Sequence, residues 1–155
     1  MPDLSPTPDA RRRLHAIFRP RRARRVAYPV AAIMLVLLVV IAVAVPGEYQ
    51  WYDRLGIALV GVAIAWFLHR QGSVSATPTE RGLVVRNLLL SRSLEWAQVV
   101  DVRFGGGRPW VQLDISDGDT LAVMAIQRAD GDRALTESRR LATLVALHSP
   151  TDQDD

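Results

Sequence analysis

The chain has 155 residues, with 19 basic and 16 acidic side chains and a formal net charge of +3. At 49% apolar and 23% charged residues it falls in the globular range, which excludes a fully disordered or collagen-like chain. There is no cysteine, which excludes disulfides, thiolate metal sites and cysteine nucleophiles, and no lysine, so every basic residue is arginine.

The charge is concentrated at one end. Residues 1–25 hold eight Arg against two Asp, a net +6; residues 26–70 balance; residues 71–155 hold nine Arg against twelve acids, a net −3. Residues 1–25 therefore read as a disordered Arg-rich arm. Its arginines, Arg11, Arg12, Arg13, Arg19, Arg21, Arg22, Arg24 and Arg25, are expected to fix membrane topology. Attraction to anionic lipid, about 1 kcal/mol per Arg near the surface, comes as a by-product. The arm lacks the aromatic interleaving and motifs of a nucleic-acid binder, so nucleic acid is not an expected partner.

Residues 26–46 read as a first transmembrane helix. Val26 to Val45 are 20 consecutive uncharged residues, and only Pro29 is not apolar. At about 1.5 Å per residue this run matches the roughly 30 Å hydrocarbon core of a bilayer. It is apolar all round, as lipid requires. Pro29 is expected in the first turn, where a missing N–H costs little. Residues 51–70 read as a second transmembrane helix. Leu55–Leu68 alone is short for a span, so Asp53 and Arg54 fall in its first turn, Arg54 snorkelling to the headgroups. Trp51, Tyr52 and Trp66 suit the interfaces, and Gly61 with Ala65 is a small-residue pair that lets helices approach. The connector at Pro46–Gln50 starts with a Pro-Gly turn signal. Ala42-Val43-Ala44 resembles a signal-peptide cleavage site, but the run is long and a second run follows it, as in a stop-transfer pair. Arginine placement puts both termini in the cytoplasm of a two-pass inner-membrane protein.

Residues 73–148 change to short alternating runs. Strands are expected over Ser73–Thr77, Leu83–Asn87, Ser91–Trp96, Val99–Phe104, Trp110–Ile115 and Asp119–Met124. Gly82 is expected at positive φ in a turn, and Asp117-Gly118 as a two-residue type I′ hairpin turn. Alternation places Val100, Val102 and Phe104 on one face and Asp101 and Arg103 on the other. A helix capped by Asp130 follows, its stripe formed by Ala134, Leu135, Leu141, Ala142 and Val145, with Arg133, Thr136, Arg139 and Arg140 pointing away. Residues 149–155 are an acidic tail. The fold class is α+β: a two-helix transmembrane hairpin followed by a small antiparallel sheet or open barrel capped by a C-terminal α-helix.

Four stretches carry a family resemblance: Arg81-Gly82-Leu83-Val84-Val85-Arg86-Asn87-Leu88-Leu89, Glu95-Trp96 through Phe104, Pro109-Trp110-Val111, and Leu113-Asp114-Ile115-Ser116-Asp117-Gly118. Over about residues 50–147 the chain resembles the bacterial pleckstrin-homology (PH-like) domains of actinobacterial membrane proteins. Within them it is most similar to the family named after low-molecular-weight protein antigen 6. The resemblance implies a membrane-tethered PH-like barrel with a helical cap, and it supplies no defined activity.

Catalytic chemistry is thin. His15, His69 and His148 have no metal-ligand spacing and read as separate solvated or interfacial side chains. There is no nucleophile motif, and a P-loop lysine is impossible. Gly105–Gly107 does not open a helix, so it reads as a β-loop and not a phosphate cradle. Asp101, Asp114, Asp117 and Asp119 read as solvated carboxylates. No cofactor, metal or catalysis is expected. The candidate contact site is the tip between the second and third strands: Leu88, Leu89 and Leu90, flanked by Arg86 and Arg92. If exposed, this tip inserts into the bilayer interface with its arginines on lipid phosphate. The expected role is a membrane-anchored binding or scaffolding module, with the lipid bilayer and a membrane-associated protein as partners. The alternative is a structural subunit of a larger membrane complex.

Overall fold

A computed structural model describes residues 8–44 and 51–148. The connector at Pro46–Gln50 and the acidic tail 149–155 lie outside the described residues. The chain forms two compact units. One is contiguous, residues 21–73, and the other joins the N-terminal segment up to Pro20 with the chain from Val74 onward.

The contiguous unit is a pair of helices, α2 (Arg21–Ala44) and α3 (Trp51–Gly72), each long and apolar enough to cross a membrane. Only Ala27 of α2 and Gly61 and Gly72 of α3 are buried, so almost all the apolar surface faces outward. The helices meet where a side chain is missing. A Cβ on Gly61 would lie 2.9 Å from Leu38 Cδ1, and one on Gly72 would lie 3.0 Å from the Tyr28 ring. Helix α2 starts earlier than the apolar run, at Arg21, which moves Pro29 from the expected first turn into the helix interior. There the missing N–H leaves the carbonyl one turn back without its ladder partner.

The second unit is built mainly from six strands and a helix. Strands β1 (Ser75–Pro78), β2 (Gly82–Arg86) and β3 (Ser91–Glu95) form one antiparallel sheet in that order. Strands β4 (Val99–Arg103), β5 (Trp110–Ile115) and β6 (Thr120–Gln127) form another, and α4 (Asp132–His148) closes the core. This α+β arrangement is that of a PH-like domain. Leu83, Val85, Val111, Leu113, Val123, Leu141 and Leu144 are fully buried, each contributing about 1.5–3 kcal/mol of apolar burial.

The sheets are tied together at Asn87, a buried polar residue. Its Nδ2 donates to the Ala122 carbonyl at 2.7 Å, and its Oδ1 accepts from the Met124 amide at 3.1 Å. The β5–β6 register jumps from Val111↔Val123 to Trp110↔Gln127, which takes residues 124–126 out of the ladder. Met124 thereby loses its strand partner, and the Asn87 side chain supplies one.

The arm departs most from expectation. Residues 8–20 are part of the second unit and not a disordered tail. Helix α1 (Pro8–Leu14) leads to Phe18, which is 1% exposed and sits in the core. Phe18 also extends the first sheet: its amide donates to the Ala76 carbonyl at 2.8 Å, and the Ala76 amide returns a bond at 3.0 Å. Arg140, expected to face solvent, holds the arm in place. Its Nη1 donates to the carbonyls of Arg13 (2.8 Å), Leu14 (3.0 Å) and Ala16 (2.8 Å). Its guanidinium lies 3.7 Å above the Phe18 ring centre, and Nε donates to Glu137 Oε2 at 2.9 Å.

Local details correct four further expectations. Gly82 is not at positive φ. It is glycine because a Cβ there would lie 1.9 Å from the Leu94 carbonyl oxygen across the β2–β3 pair. The β5–β6 turn is a three-residue loop: Ile115 N–H bonds the Asp119 carbonyl and Gly118 N–H bonds the Ile115 carbonyl, both at 2.9 Å. Only Gly118 has positive φ, so the turn is a type I turn with a glycine bulge and not type I′. In β4 the register shifts between Val99 and Asp101, so Val99 is buried and Val100 is exposed. In α4 the buried face is Ala134, Ser138, Leu141, Leu144 and Val145, while Leu135 and Ala142 face outward. Successive steps of three and four residues make that face, and Leu135 lies one residue off it.

Candidate functional site

Three surfaces of the molecule carry functional potential. The β2–β3 tip is a tight turn closed by the Asn87 amide donating to the Leu90 carbonyl at 2.8 Å. Asn87 is anchored in the core, so the next residues are pushed outward: Leu89 is 71% and Leu90 72% exposed, while Leu88 is half-buried. Two large exposed leucines on a rigid turn form a compact apolar prominence. Arg86 is exposed and pairs with Ser91 across the base of this turn. Arg92 turns to other partners. It bridges to the β5–β6 turn, 3.1 Å from Asp117 and 3.3 Å from Asp119. The tip thus presents two leucines and Arg86, which forms no ion pair among the described residues, while Arg92 neutralises Asp117 and Asp119.

The eight arginines of the arm divide between the two units. Arg11, Arg12 and Arg13 lie on α1, Arg19 on the segment after it, and Arg21, Arg22, Arg24 and Arg25 on the first two turns of α2. Four cations at a helix N-terminus run against the helix dipole, so helix stability does not explain them. Arg24 lies 5.9 Å over the ring of Tyr28.

The third surface was not legible in the sequence. A groove of about 700 Å³ lies within the second unit, between α1, the β1–β2 turn and the end of α4. His148 stacks on Trp96 at 5.0 Å, and His15 meets His148 edge-on at 5.8 Å. The Trp96 indole N–H donates to the Thr79 carbonyl at 3.0 Å, which fixes the floor of this ring ladder. Each histidine Nδ1 sits on the carbonyl one turn earlier, His15 on Arg11 at 3.0 Å and His148 on Leu144 at 2.8 Å. The ladder joins residues 15, 96 and 148, which no local pattern connects. The one available signal was Ile17-Phe18, an apolar pair inside a charged arm, two residues before Pro20.

Strand order, turn chemistry and helical cap are those expected of a PH-like domain. Residues 74–143 match the bacterial PH domain family. Proteins named only as uncharacterized, from Mycobacterium bovis and from two strains of Mycobacterium tuberculosis, are each 32% identical to the chain over 102 residues. The aligned stretch covers 66% of this chain and 66% of each relative, just under two thirds of their length. No solved structure matches the chain significantly. The PH match begins at Val74 and so leaves out Phe18, which the fold places in the core of the same unit. It also stops before Leu144, which belongs to the same core, and before Leu147 and His148, which line the groove. The compact unit that holds this PH-like segment is therefore larger than the matched residues, by residues 8–20 and by the last turn of α4.

Proposed function

We propose that the protein is a membrane-anchored PH-like binding or scaffolding module on the cytoplasmic face, without catalytic activity, akin to the antigen-6-like group of actinobacterial membrane proteins. The observation that carries this reading is the interrupted domain. Residues 8–20 and the chain from Val74 make one unit, with two helices of bilayer-spanning length and composition between them. An even number of crossings returns the chain to the side it left, so both parts of one domain meet without strain on topology. Arg-rich sequence before the first helix and Arg70 after the second favour the cytoplasm for that side. The exposed leucines of the β2–β3 tip, beside Arg86, suit contact with a bilayer interface.

Carbonate washing of membranes is expected to leave the protein in the pellet. External protease on intact spheroplasts is expected to spare the PH domain, and its digestion would overturn the orientation. The tip is tested by a single label. The chain has no cysteine, so Leu89→Cys carries one polarity-sensitive fluorophore. In nanodiscs with anionic lipid its emission is expected to shift to the blue relative to the same label at Leu135→Cys. Equal, water-like emission at both positions would remove the tip from the membrane.

A further inference from the structure

From the groove beside His15 and His148 we infer a docking site for an acidic peptide segment of a partner protein. The inference rests on the reading of this domain as a binding module and names the chemistry of its partner. The groove mixes cations with apolar surface: Arg11 and Arg12 on one wall, Leu14 and Leu147 beside the imidazoles. Both arginines are exposed, and no ion pair joins either of them to a carboxylate among the described residues. Their formal charge is therefore available to a ligand.

Geometry favours separated carboxylates over a single phosphate. Arg11 and Arg12 are consecutive on a helix, so their side chains diverge by about 100°. Two cations rooted at different bearings on one wall suit two carboxylates spaced along a chain better than one tetrahedral oxyanion. The hydrogen bonds at both Nδ1 atoms leave Nε2 of each imidazole as the remaining polar atom, a further partner for a peptide backbone or side chain. The apolar residues between them suit a leucine or similar side chain of the same segment. Glu80, on the β1–β2 turn, also lines the groove and disfavours a peptide carboxylate beside it.

The test uses the full-length protein in detergent micelles and a short fluorescein-labelled peptide of alternating aspartate and leucine, read by anisotropy. Saturable binding is expected, with its lysine–leucine counterpart binding at least about tenfold more weakly. Arg11→Ala with Arg12→Ala is expected to lower affinity by about tenfold or more, since two charge-assisted contacts are lost. Both residues are exposed, and an unchanged melting curve checks the fold. The charge-matched control, Arg128→Ala with Arg139→Ala, is expected to stay within about twofold. Equal losses in the two double variants, or equal binding of the two peptides, would overturn the site. Membrane extraction is a separate readout: a protein released by carbonate but binding the peptide would end the anchoring proposal and leave the groove standing.

Discussion

The two units of the chain reach stability by different routes. In the helix pair, residues 21–44 and 51–72, each helix satisfies its own backbone, and close contact needs only Gly61 against Leu38 and Gly72 against Tyr28. In the PH domain the core is completed from outside its contiguous segment. Phe18 fills it from the far side of the helix pair, and Arg140 caps three carbonyls of the arm that carries Phe18. A contiguous apolar run works through its length alone, whereas the domain depends on a contact between distant parts of the chain. The arginine-rich arm therefore has two physical tasks. Arg21, Arg22, Arg24 and Arg25 lie on the first turns of α2, and the arm's buried aromatic, Phe18, lies in the core of the domain.

That difference is open to direct challenge. The largest effect is expected from Phe18→Ala, which should destabilise the PH domain by about 3–5 kcal/mol in denaturant titrations of the detergent-solubilised protein. No change would return the arm to the status of a tail. Gly82→Ala comes next. The added Cβ meets the Leu94 backbone oxygen and not a movable side-chain end, so a loss of about 1–3 kcal/mol is expected in the same titration. Gly61→Ala, in the helix pair, meets only the end of the Leu38 side chain. It should be the milder of the two glycine changes, and the reverse order would undo the contrast between the units. Arg140→Ala strips a charged donor from the carbonyls of Arg13, Leu14 and Ala16, for an expected loss of about 1–3 kcal/mol. Combined with Phe18→Ala it should be markedly less than additive, because both act through the same arm. The smallest effect is expected at Leu135→Ala, within about 0.5 kcal/mol, since Leu135 is exposed. A large loss there would restore the helix face that the sequence pattern indicated.

The six strands were legible because alternation and turn residues are local signals. Val111, Leu113, Ile115, Leu121 and Val123 are all buried, as alternation required. Alternation failed at Val100 because a bulge adds one residue and reverses the sides that follow. The buried α4 face departs from the apolar stripe at Leu135 because spacing decides: Ser138, four residues after Ala134, is buried, while Leu135 is exposed. The Leu88–Leu90 tip was legible as a loop, but the diversion of Arg92 to Asp117 and Asp119 required knowing that two sheets meet there. The His15–His148 groove and the place of Phe18 were illegible for one shared reason: both join residues on opposite sides of the apolar helices.

The most direct measurement is hydrogen exchange at two amides of the full-length protein in detergent. Phe18 and Ala76 each donate to the other's carbonyl. If the arm completes the domain, both amides exchange as slowly as those of central strand residues such as Leu113 and Val123. Exchange of Phe18 at the rate of an unstructured chain, beside a protected Leu113, would show that the PH domain closes without its arm.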